Sequence, residues 1–110
     1  MKLKKFEQLN NDEEIDDYLV DKFSLEDDSE YIGSYNMKNQ ICFLFGAINH
    51  ENVEIINNIK KYININFELK KFNDGDDHVG VQVIFKLTDL KMKNLKNKID
   101  LELNSKKYNL

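Results

Sequence analysis

A chain of 110 residues, 41% hydrophobic and 33% charged, has the size of one domain and is too apolar for intrinsic disorder. Its longest apolar run, residues 41–48, is too short to span a membrane, and the mostly polar residues 7–11 argue against an export signal. The net charge is −4, and the single Cys42 cannot form an internal disulfide, so we expect a reducing, cytoplasmic setting.

The N-terminal part contains an unassigned arm and a predicted helix. Residues 1–10 carry an apolar side chain at every third position, which fits a strand, a helical turn or a loosely docked arm. From Asn11, a suitable N-cap, the apolar side chains recur at i, i+3, i+4 and i+8. We predict a helix over residues 11–23, followed by a solvated acidic loop over residues 24–29.

Two runs joined by Lys38 and Asn39 predict a β-hairpin. Residues 30–37 alternate with a period of two, and residues 41–48 form the apolar run, which is typical of a strand buried on both faces. Because the link is short, the two runs should pair as neighbours. A helix with one apolar face follows over residues 51–63.

A second hairpin and a final helix complete the predicted elements. Residues 65–72 and 78–87 both alternate with a period of two, and the residues between them have the composition of a turn. Thr88 can cap a last helix. Residues 99–103 fit either a helix or a short strand, and we expect residues 104–110 to form a frayed tail.

This order of elements predicts a single α+β domain over residues 1–110, with two layers and a mainly antiparallel four-stranded sheet. The β-α-β-β-α part resembles the ferredoxin-like, split β-α-β arrangement, and the acidic helix precedes it. A right-handed crossover through the helix after the first hairpin predicts a strand order. That order is 30–37, 41–48, 78–87, 65–72.

Candidates for metal binding and catalysis are few. Asp74, Asp76, Asp77 and His78 are the only compact group of possible ligands, but their spacing does not match an EF-hand loop, and a hairpin turn explains them equally well. Cys42 lies inside the apolar run, where a nucleophile is poorly placed. We therefore predict no catalytic residue, no metal and no cofactor, and we leave open whether the aspartate-rich turn binds an ion.

Lysines between residues 86 and 107 raise the question of nucleic-acid binding. The chain has no arginine, few aromatic residues accompany these lysines, and the total charge is acidic. Lysines at these spacings are typical of the solvated face of a helix. We expect neither direct nucleic-acid binding nor membrane association.

The acidic stretch is the strongest feature that folding leaves unexplained. Residues 7–30 hold 11 acidic side chains, with Lys22 as their only lysine. A solvated face explains them as well as a functional surface does, but clustered carboxylates also speed the encounter with a positively charged cleft. The predicted partner-binding residues are Asp16, Asp17, Asp21, Asp27, Asp28 and Glu30.

The leading hypothesis is a small, non-enzymatic intracellular protein that neutralises or regulates a basic partner, such as a toxin, a nuclease or another nucleic-acid-handling protein. Immunity proteins, antitoxins and phage anti-defence inhibitors act in this way. The second hypothesis follows from the sheet, because the two helices after residue 50 can cover only one face. Helix 11–23, a second copy of the chain or another protein would cover the other. The alternative is therefore a regulatory or oligomerising domain that dimerises or binds a small ligand on its open sheet face.

Overall fold

The computed structural model describes residues 15–73 and 79–108, with side chains described through Ser105. The predicted N-terminal arm, the start of the first helix and the aspartate-rich turn lie outside these ranges. The described elements are α1 (Ile15–Lys22), a short 3-10 helix (Leu25–Asp27), β1 (Tyr31–Met37), β2 (Gln40–Phe45), α2 (His50–Ile63), β3 (Phe67–Asn73), β4 (Val79–Lys86) and α3 (Asp89–Tyr108).

The four strands form one antiparallel sheet in the order β1-β2-β4-β3. The predicted α+β class, with a four-stranded antiparallel sheet, is confirmed. β2 and β4, the most apolar strands, occupy the centre, and β1 and β3 are the edges. This arrangement buries the side chains of the central strands while it leaves the more polar strands at the margins.

Local signals explain the boundaries of several elements. Asn39 adopts a left-handed conformation with φ of 62° in the two-residue turn between β1 and β2, a conformation that asparagine tolerates better than most residues. Asn49 and Asn52 form a reciprocal capping box at the start of α2. Asn64, with φ of 63°, ends α2 in the left-handed region.

Some predicted boundaries were wrong. β2 ends at Phe45, not residue 48, because the chain turns away to reach the cap of α2, where the Asn52 side chain donates to the Ala47 carbonyl at 2.8 Å. β3 begins at Phe67, not residue 65. Residues 99–103 are helical, and α3 continues to Tyr108 where a frayed tail was expected.

The hydrophobic core lies between one face of the sheet and the three helices. Ile41, Phe43 and Phe45 of β2 and Phe85 of β4 are fully buried on this covered face. The rings of Phe43 and Phe85 meet edge to face, with centroids 6.0 Å apart. Helix residues complete the core, chiefly Ile15, Leu19, Ile56, Ile59, Leu95 and Ile99.

α1 packs on the same face as α2 and α3, so it does not cover the opposite face. Its Asp16 contacts Ser34 and Asn36 of β1, which pair in register with Phe43 and Ile41 of the covered face. The segment after α1 is also more than a solvated loop. Leu25 is fully buried in the core, because the 3-10 helix turns its side chain inward.

Candidate functional site

The predicted acidic surface divides into buried and exposed carboxylates. Asp16 is only 6% exposed, its carboxylate accepts a bond from the Ser34 hydroxyl at 2.7 Å, and its amide donates to the Asn36 side chain at 3.1 Å. Burial raises the pKa of the Asp16 carboxyl, while the Ser34 bond acts in the opposite direction. Asp16 therefore joins α1 to β1 and does not belong to a contact surface.

Two further predicted acids take part in the turn that leads into β1. One Asp28 side-chain oxygen accepts from the Glu30 amide at 2.9 Å, and the Asp28 carbonyl accepts from the Tyr31 amide at 3.1 Å. The Glu30 carbonyl accepts from the Gly46 amide at 2.7 Å, which aligns the start of β1 with the end of β2. Both acidic side chains are half-buried.

The remaining predicted acids differ in exposure. Asp21 near the end of α1 and Asp27 in the 3-10 helix are exposed, and Asp17 is half-buried. The Lys22 ammonium, close to them in sequence, lies 3.1 Å from the Glu102 carboxylate of α3. The structure thus separates a smaller acidic surface, formed by Asp17, Asp21, Asp27 and Glu30, from Asp16 and Asp28, whose side chains form hydrogen bonds within the fold.

A polar cluster that the sequence did not predict joins all three helices at Glu102. The hydroxyls of Tyr18 in α1 and Tyr62 in α2 donate to its two oxygens, each at 2.8 Å. Lys22 completes the carboxylate's partners. One feature of the sequence could have indicated this cluster, namely an acid on the apolar stripe of α3. Glu102 follows Leu95 by seven positions and Ile99 by three.

The contacts within this Glu102 cluster shift the pKa values of its carboxyl and its two tyrosine hydroxyls. Partial burial acts to raise the pKa of Glu102, but the Tyr18, Tyr62 and Lys22 contacts outweigh it and hold that pKa below its ordinary value. Burial and the nearby carboxylate raise the pKa of both tyrosines, so their hydroxyls remain protonated donors. Lys98 adds a cation–π contact, with its ammonium 4.0 Å from the centroid of the Tyr62 ring.

The Glu102 cluster is suited to holding helices together and offers no reaction chemistry. Its one carboxylate is saturated by three donors, which leaves it poorly placed to act as a base. Two other reactive side chains, Cys42 and His50, lie in different environments. Cys42 is fully buried in β2, and His50 is exposed at the start of α2. Across the described ranges, His, Cys, Asp and Glu side chains form no group of three that could hold a metal ion.

The sheet face opposite the helices is partly apolar, and we call it the open face. The register places Tyr35, Cys42 and Ile84 side by side there, with Leu44 and Gln82 beside them. Cys42 is fully buried, Ile84 is 8% exposed and Tyr35 is 37% exposed. The Gln82 amide donates to the Tyr35 hydroxyl, and this pair covers part of the strand surface. No helix among residues 15–73 and 79–108 packs against this face.

The chain's helices give no indication of membrane insertion. In the parts of the chain that the structure describes, no helix combines the length and the apolar character that crossing a bilayer requires. α3, the longest helix, is rich in lysine.

Comparison of the chain with protein-family models, with curated proteins and with solved structures found no match.

Proposed function

We propose that this protein is a small, non-enzymatic binding protein that neutralises or regulates a basic protein partner through its acidic surface. The contact residues are Asp17, Asp21, Asp27 and Glu30. The partner would be a toxin, a nuclease or another nucleic-acid-handling protein, and the protein would act as an immunity protein, an antitoxin or an anti-defence inhibitor does. Carboxylates on such a protein can occupy positions that phosphates take in a basic cleft.

The observation that carries this proposal is the distribution of charged side chains around α1. Lys22 is drawn towards Glu102, while Asp21 and Asp27 are exposed. Exposed carboxylates of like charge repel one another and contribute nothing to the core, so packing does not account for them. A partner rich in lysine or arginine would gain both steering and paired contacts from this surface.

The test begins with capture of partners at low salt, identification by mass spectrometry and measurement of association rates. The variant Asp21→Lys with Asp27→Lys reverses two exposed charges of the acidic surface. We expect the association rate to fall about tenfold and to depend less on ionic strength, because long-range steering is lost. Dissociation should change less.

The matched control is Glu51→Lys with Glu54→Lys, which makes the same change in net charge on exposed positions of α2. If both double variants slow association equally, net charge alone is responsible and the acidic surface has no specific role. An unchanged rate in the first variant would exclude the proposal.

A second candidate function rests on the open face. We propose that β2-α2-β3-β4-α3 is a ferredoxin-like core in which β1 occupies the edge beside β2, and that the domain is regulatory or oligomerising. Half-buried Leu44 and exposed Tyr35, together with the buried Ile84, supply an apolar surface for a small ligand or a second chain. This candidate needs no acidic residue.

Leu44→Glu tests the second candidate, because it places a charge at the centre of the open face. We expect it to abolish ligand binding or face-to-face assembly while the double variant of Asp21 and Asp27 leaves both intact. Circular dichroism and the melting temperature establish that the variant folds. Assembly or ligand binding that survives Leu44→Glu would rule out the open face as the site.

A further inference from the structure

The two edges of the sheet differ in how they are protected from pairing with another strand. β3 carries Glu68, Lys70 and Lys71, and charge on an edge strand discourages association. β1, from Tyr31 to Met37, contains no charged residue. Its only protection in the described residues is an irregularity between Tyr31 and Gly33, which leaves regular strand over the rest of its length.

Among the described residues, no strand pairs with the outer edge of β1 at Ser34 and Asn36. In a hairpin closed by two residues, Met37 and Gln40 form the bonded pair, and bonding to β2 then alternates through Tyr35 and Gly33. The amide and carbonyl groups of Ser34 and Asn36 therefore point away from β2. The bond from the Leu87 amide to the Asn39 carbonyl, at 2.8 Å, follows the same alternation across the sheet.

Charge and apolar surface are distributed along this edge in a self-complementary way. Glu30 precedes β1 and Lys38 follows it, so the strand has an acidic end and a basic end. Ile32 is 59% exposed and Met37 is 55% exposed, near opposite ends of the strand. An antiparallel copy of the same strand would place its basic end beside the acidic end of the first.

We propose that β1 pairs with β1 of a second copy of this chain, antiparallel about a two-fold axis at Ser34. The two sheets then join into one sheet of eight strands, and we call the contact between the two β1 strands the edge seam. Glu30 of each copy lies at the end of the seam beside Lys38 of the other, which gives two symmetric ion pairs. Ile32 of each copy lies opposite Asn36 of the other, with Met37 at the next position along the seam. A basic partner strand would instead meet Lys38 with like charge, which favours a second copy as the occupant.

Glu30 belongs both to the acidic surface and to this seam, whereas Lys38 and β1 belong to the seam alone, so Lys38→Glu tests the seam without changing the proposed contact residues for a basic partner. The edge seam also differs from assembly through the open face, which Leu44→Glu would disrupt. The edge seam is tested by reversing its charges separately and together.

The experiment is sedimentation or light scattering of the full chain over a concentration series. We expect a dimer whose dissociation constant rises about tenfold in Glu30→Lys and in Lys38→Glu, because each variant sets like charges opposite one another twice. The double variant Glu30→Lys with Lys38→Glu restores the pairing with reversed sign, and its dissociation constant returns close to that of the natural chain.

Ile32→Lys provides a second probe, and Leu101→Lys is its control, because Leu101 is 70% exposed on α3, away from β1. We expect the first to prevent dimerisation and the second to leave it unchanged. A chain that stays monomeric up to about 1 mM, or a double charge variant that dimerises no better than the single ones, would overturn the proposal. Circular dichroism of each variant confirms that the monomer is folded.

Discussion

The two faces of the sheet differ in how their side chains are covered. On the covered face, most of the alternate residues of β2 and β4 are fully buried beneath three helices, and the rings of Phe43 and Phe85 are in contact. On the open face no described helix covers the intervening residues, and the Tyr35 and Gln82 pair lies over part of the strand surface. Hydrophobic free energy is therefore concentrated on one side of each central strand, and the other side is available for binding.

The largest expected effect comes from comparing neighbouring residues of β2 that point to opposite faces. Phe43→Ala should lower the free energy of unfolding by about 3–5 kcal/mol, because it removes a fully buried ring and leaves a cavity. Leu44→Ala should lower it by about 1 kcal/mol, since Leu44 is half-buried on the open face. Urea denaturation measures both.

Equal losses from Phe43→Ala and Leu44→Ala would mean that the open face is covered as fully as the other. If Phe43→Ala were tolerated, β2 would not be the centre of the core. Either result would remove the contrast between the faces.

An intermediate effect is expected at the Glu102 cluster, which joins the three helices on the covered side of the sheet. Glu102→Ala should lower the free energy of unfolding by about 1–3 kcal/mol, because two partly buried tyrosine hydroxyls lose their acceptor. Glu102→Gln keeps one side-chain oxygen as acceptor and should lose less. Thermal or urea unfolding at pH 7 distinguishes the two variants.

The pH dependence of the same variants checks the charge of Glu102. Its pKa is lower in the folded state than in the unfolded chain, so its stabilisation is complete above about pH 4.3 and is lost as the pH falls through the folded pKa. Glu102→Gln should therefore flatten the acid side of the stability profile. A variant profile parallel to that of the natural chain would contradict the assigned cluster.

The smallest effect is expected at Asp16, where α1 meets the edge of the covered face. The raised pKa of Asp16 means that its burial opposes folding as the pH rises above the unfolded value of about 3.9. Asp16→Asn keeps an oxygen for the Ser34 hydroxyl and removes the charge. The free energy of unfolding at pH 7 should be unchanged or higher by about 1 kcal/mol.

The gain from Asp16→Asn should disappear below about pH 3.9, where the natural carboxyl is protonated in both states. A loss of more than about 2 kcal/mol at pH 7 would show that the negative charge itself stabilises the junction. Ser34→Ala provides the complementary control, because it removes the other partner of the same bond.

Strand periodicity, turn residues and caps predicted the class of fold from the chain itself. The alternation in residues 78–87 and the apolar run at residues 41–48 are local patterns, and Asn39 and Asn49 act within a few positions of where they stand. The boundaries of the elements were less predictable. Ile65 is apolar and fits the strand pattern, but β3 begins at Phe67 and Ile65 is only half-buried beside it.

The candidate site was predictable in composition but not in geometry. The acidic excess of residues 7–30 is visible in the chain, whereas the sorting of Asp16 and Asp28 from Asp21 and Asp27 depends on partners. Asp16 bonds a strand residue 18 positions away, and Tyr18 bonds a helix residue 84 positions away. No periodicity of the local sequence reports such distances.

Side-chain alternation and capping act over a few residues, so local sequence was enough to predict which segments become strands and helices. Long-range packing placed α1 with the other helices on one face, left the opposite face without a described helix, and turned Lys22 towards Glu102 instead of the neighbouring acids. The reason is physical. These outcomes depend on which apolar surfaces pack together across long separations in the chain, and burial then fixes which charges are paired and which remain exposed.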